Sequence, residues 1–105
     1  MTEIDDSIWK LFASIFSQFE NIQEVILFGS RAKGTHKNGS DIDLCLKGLE
    51  IDTEILIKLM GRIDALDLPY QIDLVIYDKI SNLELKDHIK RVGQTIYTKN
   101  DKVLL

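Results

Sequence analysis

The sequence predicts an α/β (α+β) fold in a single domain that covers residues 1–105. A length of 105 residues is enough for one hydrophobic core, and too short for a catalytic domain with a separate substrate domain. Three segments carry apolar residues at helical spacing, and short apolar, β-branched runs lie between them. These segments follow one another as helix, strand, loop, strand, helix, strand and helix, without a linker that would mark a second domain.

Three helices are predicted from apolar residues that recur every three or four positions. The first covers residues 4–19. The second begins after Asp52 or Thr53, either of which can cap it, and is ended by Pro69, the only proline in the chain. The third is capped by Ser81 and stops at Gly93.

Three strands are predicted from short apolar runs bounded by turn-forming residues. They cover residues 24–28 (EVILF), 41–46 (DIDLCL) and 71–77 (QIDLVIY), and the tail GQTIYTKNDKVLL is a candidate for a further strand. Aspartate is a poor strand former, so the aspartates inside the second and third runs need an explanation other than strand propensity.

The composition excludes several classes of function. A net charge of −4 and a pI near 5.1 argue against a broad nucleic-acid-binding surface, so no direct DNA binding is expected. The N-terminus is acidic where a signal peptide would be basic, and no apolar run approaches the roughly 18 residues of a membrane span. We therefore expect a cytoplasmic protein. Its only cysteine, Cys45, excludes an intramolecular disulfide and is expected in the core.

Asp41 and Asp43 are predicted to project from the same side of the second strand. Residues i and i+2 of a strand share a face, with Cα atoms roughly 6.5 to 7 Å apart. Two carboxylates at that distance raise each other's proton affinity unless a cation lies between them. Hard oxygen donors without nearby His or Cys favour Mg²⁺, with Mn²⁺ as an alternative. Asp73 completes a set of three if the second and third strands are neighbours, and such a set suits two-metal phosphoryl or nucleotidyl transfer.

The loop after the first strand supplies groups suited to a phosphate. Gly29 and Ser30 offer backbone N–H groups and a hydroxyl, and Gly29 lets the chain turn and a ligand approach closely. Arg31 and Lys33 add positive charge. The glycine spacing from Gly29 also fits a P-loop, but Thr-His follows the last glycine where a P-loop has Lys and Ser or Thr, so the P-loop is rejected.

The spacing of these residues resembles a known superfamily. Gly29-Ser30, ten intervening residues, Asp41-x-Asp43 and a third aspartate on a later strand are similar to the DNA polymerase β-type nucleotidyltransferases, and the short length is similar to their minimal (MNT) group. The resemblance implies a small mixed β-sheet flanked by helices. It also implies that Gly29 and Ser30 hold the nucleotide's β- and γ-phosphates, and that Arg31 and Lys33 contact the triphosphate. Lys33 stands where the family often has arginine, which keeps the charge but loses bidentate geometry.

The resemblance further implies the metal sites and the reaction. Asp41, Asp43 and Asp73 would bind two Mg²⁺ ions, and Asp73 would assist deprotonation of the acceptor hydroxyl. AMP would pass from ATP to a tyrosine of a HEPN ribonuclease toxin, with which the chain would form a hetero-oligomer as its antitoxin. Two alternatives stay open: transfer to a small hydroxylated molecule such as an antibiotic, and a non-catalytic module that acts by binding alone.

Several residues also have ordinary structural explanations. Asp41 follows Asn-Gly-Ser and can cap a turn. His36 and His88 have no second imidazole at metal-binding spacing, so both are expected at the surface. Asp64, Asp67 and Asp78 are expected to be solvated, because only Asp73 lies between apolar residues of a strand.

Overall fold

The computed structural model describes residues 6–29 and 41–99 of the chain. This part contains helices α1 (Asp6–Phe16), α2 (Thr53–Asp64) and α3 (Leu83–Val92), strands β1 (Ile22–Phe28), β2 (Ile42–Gly48), β3 (Ile72–Ile76) and β4 (Gln94–Thr98), and a 3-10 turn at Tyr77–Lys79. The predicted order of elements is confirmed, and the tail contains the further strand.

The four strands form one mixed sheet in the order β3-β2-β1-β4. β1 pairs antiparallel with both β2 and β4, whereas β2 and β3 pair in parallel through the crossover helix α2. The second and third predicted strands are therefore neighbours, which is the condition under which Asp73 is expected to lie near Asp43. β3 and β4 are the two edges of the described sheet.

The main core lies between one face of the sheet and helices α1 and α2. Alternate residues of β2, such as Ile42 and Leu44, are fully buried there against Phe12 and Phe16 of α1 and Leu59 of α2. Because neighbouring strand residues face opposite sides, the residues between them point to the second face. Truncation of a fully buried leucine such as Leu44 to alanine would cost about 2–5 kcal/mol.

Helix α3 covers part of the second face with a smaller apolar cluster. Ile89 of α3 packs there against Ile26 and Phe28 of β1 and Cys45 of β2. Asp43 and Asp73 lie on the same face, next to this cluster, and are not part of it. The fold thus places carboxylates at the margin of an apolar layer.

The helix ends match the sequence prediction in part. Asp52 caps α2 by accepting a hydrogen bond from the Ile55 N–H at 2.9 Å, as predicted. The predicted cap of α3 at Ser81 is wrong: Asn82 occupies the cap, and its Oδ1 accepts from the N–H groups of Glu84 and Leu85 at 2.8 and 3.1 Å. Gly93 ends α3 as predicted.

Helix α2 ends well before the predicted stop at Pro69. Its last residue is Asp64, and Ala65 forms the C-cap. The residues between α2 and β3 include Asp67, whose φ of 53° lies in the left-handed region. None of the helices formed by residues 6–29 and 41–99 is long and apolar enough to span a membrane.

Candidate active site

Phe28, Asp43 and Asp73 form a row across three adjacent strands. Phe28 of β1 is paired with Asp43 of β2, which is paired with Asp73 of β3. The parallel pairing of β2 with β3 puts the two aspartates side by side on the face that α3 partly covers. The predicted grouping of these carboxylates is therefore present in the fold.

The carboxylates of Asp43 and Asp73 interact directly. Partial burial raises the pKa of Asp43 above its usual value of 3.8, and the negative charges of Asp73 and Asp41 raise it further. A side-chain hydrogen bond with Asp73 acts in the same direction. Burial and neighbouring negative charge therefore make Asp43 harder to ionise than an isolated aspartate.

The carboxylate pair fits a hard divalent cation by the chemistry of its donors. Oxygen ligands suit Mg²⁺ or Mn²⁺, and a bound cation would keep both groups ionised. Asp41 is exposed, near enough for its charge to act on Asp43. In the described part of the chain, no three acidic, His or Cys side chains converge as a metal-binding group. The fold thus offers two adjoining carboxylates and a third nearby.

Gly29 stands where a side chain could not fit. Its φ of +79° lies in the left-handed region, and a Cβ atom built on it would overlap Oδ2 of Asp43 and lie 3.2 Å from its Cγ. The chain turns here, as predicted, and the group that approaches the backbone so closely is the carboxylate of Asp43. The start of the glycine-serine loop and the aspartate pair are therefore in contact.

Three predicted nucleotide-binding residues lie outside the described residues. Ser30, Arg31 and Lys33 follow Gly29 in the chain, and so does His36. Of the predicted site residues, the described ones are Gly29, Asp41, Asp43 and Asp73, and they lie together at one end of the sheet.

His88 is less exposed than the surface position that the sequence predicts. It is half-buried on α3, with its ring edge-on to Phe28 at 6.4 Å between centroids and an interplanar angle of 80°. It is close enough to Asp43 for its positive charge to lower the pKa of that carboxyl, against the larger effects that raise it. The missed signal is helical spacing: His88 lies three residues after Leu85, on the face that packs on the sheet.

Cys45 lies two residues beyond Asp43 and has a different role. It is fully buried in the cluster under α3, as predicted, and burial raises the pKa of its thiol to about 11. A thiol with that pKa stays protonated at neutral pH, so Cys45 is a small core residue.

Comparison with protein families assigns this geometry to a known group. The family model described as "Polymerase beta, Nucleotidyltransferase" matches residues 10–102, nearly the whole chain. The chain belongs to the polymerase beta nucleotidyltransferase family. It is accordingly a nucleotidyltransferase, and its mixed α/β architecture is the fold of that family. No curated protein matches the chain.

Several solved structures are similar in fold to this chain. A toxin-antitoxin crystallised with AMP-PNP has a TM-score of 0.66 and 25% identity, over 90% of this chain and 73% of that one. An MNT antitoxin complexed with a tri-AMPylated HEPN toxin from Shewanella oneidensis has a TM-score of 0.58 and 22% identity, over 89% and 68%. A candidate nucleotidyltransferase from Sulfolobus solfataricus has a TM-score of 0.59 and 21% identity, over 95% and 86%.

Proposed function

We propose that this nucleotidyltransferase transfers AMP from Mg·ATP to a tyrosine hydroxyl of a partner HEPN ribonuclease toxin, and so acts as the antitoxin of a toxin-antitoxin pair. The observation that carries the proposal is the hydrogen-bonded pair of Asp43 and Asp73 on adjacent parallel strands, in contact with the turn at Gly29. A carboxylate pair beside a glycine turn suits the handling of a metal-bound triphosphate.

The reaction requires one bond to form and one to break at the α-phosphorus. The acceptor oxygen bonds to that phosphorus, the bond from phosphorus to the oxygen that bridges to the β-phosphate breaks, and pyrophosphate leaves. The hydroxyl proton passes to a carboxylate, and we assign that role to Asp73. Asp73 suits this role because it lies beside Asp43 on the adjacent parallel strand, next to the carboxylate that would hold the metal.

The remaining site residues have supporting roles in this proposal. Asp41, Asp43 and Asp73 would hold two Mg²⁺ ions, with Mn²⁺ as an alternative, and these ions would neutralise charge on the triphosphate and lower the pKa of the acceptor hydroxyl. The backbone at Gly29 lies beside Asp43, so phosphates bound by Gly29 and Ser30 would lie next to the metal-binding carboxylates. Arg31 and Lys33 would add contacts to the same phosphates.

The structural neighbours support the choice of acceptor. One of them is an antitoxin bound to a HEPN toxin that carries three AMP groups, and another was crystallised with AMP-PNP. Residues 6–29 and 41–99 form one small α/β unit, which is compatible with an acceptor hydroxyl presented by a separate protein. A cytoplasmic location, where ATP and Mg²⁺ are abundant, belongs to the same proposal.

The test is intact mass spectrometry of the HEPN-domain protein encoded beside this chain's gene. We expect incubation with this chain, ATP and Mg²⁺ to add one or more AMP units, with the modified tyrosine located by peptide sequencing. Asp43→Asn should abolish the addition because it removes a carboxylate without changing side-chain size. Asp78→Asn is the matched control, since Asp78 is exposed in the 3-10 turn after β3 and should support normal transfer.

Two other outcomes would each contradict part of the proposal. Neutralisation of the toxin by both wild type and Asp43→Asn, without a mass change, would show an antitoxin that works by binding alone. A complex without modification of the protein, together with AMP transfer to an added hydroxylated compound, would identify a small-molecule acceptor.

A further inference from the structure

A groove of about 400 Å³ lies beside the edge strand β3, and Asp73 is one of the residues that line it. It lies between the C-terminal turn of α2, the segment that follows it and the start of β3. The residues that line it are Met60, Ile63, Asp64, Asp67, Leu68, Tyr70, Gln71, Ile72 and Asp73. A groove that reaches the proposed proton acceptor is a candidate route for an acceptor.

The groove has an apolar floor and an acidic rim. Ile63 and Ile72 belong to the main core, and Met60 beside them is 42% exposed. Asp64 and Asp67 are exposed at the rim, and neither Lys, Arg nor His lines the groove. Such a lining is complementary to a segment that carries both an apolar and a basic side chain.

The nearest basic residue on α2 is directed elsewhere. The guanidinium of Arg62 donates a hydrogen bond to Gln18 and lies 4.8 Å from the ring centroid of Phe19, in the turn after α1. Arg62 therefore does not neutralise the rim formed by Asp64 and Asp67. Among residues 6–29 and 41–99, no basic side chain lines the groove beside Asp64 and Asp67, so their charge favours a basic side chain of a partner.

β3, which borders the groove, is an edge strand. The described sheet ends at β3, so the backbone groups on its outer side have no partner strand there. An extended segment of another protein can add to such an edge through main-chain hydrogen bonds. Backbone pairing would fix the depth and direction of a bound segment.

The alternation of a strand determines where the side chains of that segment would point. Ile72 and Leu74 pack into the main core on the groove side, whereas Val75 packs on the α3 side, which Asp73 shares. Cross-strand neighbours share a face. A residue paired beside Asp73 would therefore face its carboxylate, and the residues on either side of it would face the groove.

We propose that the groove and the free edge of β3 bind the acceptor segment as an added strand. This proposal rests on the proposed function. The segment carries its hydroxyl residue opposite Asp73, with an apolar neighbour on the floor and a lysine or arginine at the rim by Asp64 and Asp67. The chain thus selects acceptors in which a hydroxyl lies beside an apolar and a basic residue in extended conformation.

Peptide titration followed by NMR tests this binding without catalysis. The probe is a blocked seven-residue peptide with a central tyrosine between leucine and lysine, and its counterpart has glutamate in place of lysine. We expect amide shifts of the ¹⁵N-labelled chain to concentrate in residues 60–74. The lysine peptide should bind about 10-fold more tightly than the glutamate peptide at low salt, with a smaller ratio at high salt.

Charge-neutralised variants provide the matched comparison. Asp64→Asn with Asp67→Asn should weaken binding of the lysine peptide by about 10-fold, and asparagine tolerates the left-handed backbone at position 67. Glu20→Gln with Glu50→Gln makes the same change in net charge at exposed positions flanking the far ends of β1 and β2, and includes the left-handed residue Glu50. This control should bind like wild type.

Three results would overturn the inference: shifts centred outside residues 60–74, equal affinity for the two peptides, or no binding of either. The separate transfer assay distinguishes this failure from that of the proposed function. Transfer to the HEPN protein without groove binding overturns the groove alone. Groove binding without transfer by wild type overturns the nucleotidylation of that partner.

Discussion

Asp43 and Asp73 lie directly opposite each other on parallel strands and share a hydrogen bond between their side chains. Partial burial raises the pKa of Asp43, and the negative charge of Asp73 raises it further. A cation bound at this site would offset both effects. Two predictions about stability follow.

Without divalent metal, Asp43→Asn should stabilise the protein at neutral pH, by less than about 1 kcal/mol because the site is partly solvated. The pKa of Asp43 is raised in the folded state from 3.8, so the unfolded state releases this proton first as pH rises. The contribution of Asp43 to the stability of wild type therefore falls from about pH 4 up through its raised pKa. Asp43→Asn lacks this pH-dependent loss. Urea unfolding at pH 3 and pH 7 measures this, and lower stability of Asp43→Asn at pH 7 would contradict it.

Mg²⁺ should stabilise wild type and have little effect on Asp43→Asn. A ligand that binds only the folded state at ten times its Kd contributes about 1.4 kcal/mol, which corresponds to a Tm increase of roughly 6–10 °C for a domain of this size. Thermal unfolding followed by circular dichroism, with and without Mg²⁺, measures the shift. Asp78→Asn is the control and should keep the full Mg²⁺ effect. An equal shift in Asp43→Asn would exclude the aspartate pair as the ion's ligands.

Gly29→Ala should destabilise the fold, whereas Gly61→Ala should stabilise it. The first puts a Cβ into the carboxylate of Asp43 at a backbone φ of +79°, which costs about 1–3 kcal/mol. The second adds a Cβ to an exposed position of α2 with no atom within 4 Å and contributes about 0.5–1 kcal/mol. Denaturant unfolding of the two variants gives the comparison, and the same sign of change in both would disprove it.

Asn82→Ala should cost about 1 kcal/mol, and Ser81→Ala should cost almost nothing. Asn82 accepts two backbone hydrogen bonds at the start of α3, and loss of such a cap typically costs this amount. Ser81 is exposed and lies one position before the cap. The free energies of unfolding of the two alanine variants show which residue caps α3. A larger loss for Ser81→Ala would identify Ser81 as the cap.

The sequence predicted the elements and the aspartate pair because both leave local signals. Helical and strand periodicities depend on neighbouring residues, and Asp73 was singled out by its apolar flanks in a strand. The contact of Asp43 with Asp73 also requires β2 and β3 to be adjacent, and no local pattern of residues determines that adjacency. The order of the sheet, with β1 between β2 and β4, depends on packing between distant segments and leaves no local signal.

The failures have particular physical causes. Ser81 and Asn82 are both good caps, and only the backbone geometry at the start of α3 selects Asn82. The surface position expected for His88 rests on the lack of a second imidazole at metal-binding spacing, whereas its distance of three residues from Leu85 puts it on the packed face. In both cases the sequence allowed two local solutions, and tertiary packing chose one.

β1 depends on a partner strand that lies far away in the chain. Its outer side pairs with β4, and the side chains of Glu24 and Thr95, 71 positions apart, are hydrogen-bonded across that junction. During synthesis the ribosome must therefore add most of the domain before this side of the VILF run is covered. Contacts of such large sequence separation slow folding and prolong the exposure of a hydrophobic edge. The nascent chain should be most prone to aggregate in this interval, and a chaperone or an early-bound partner would protect it there.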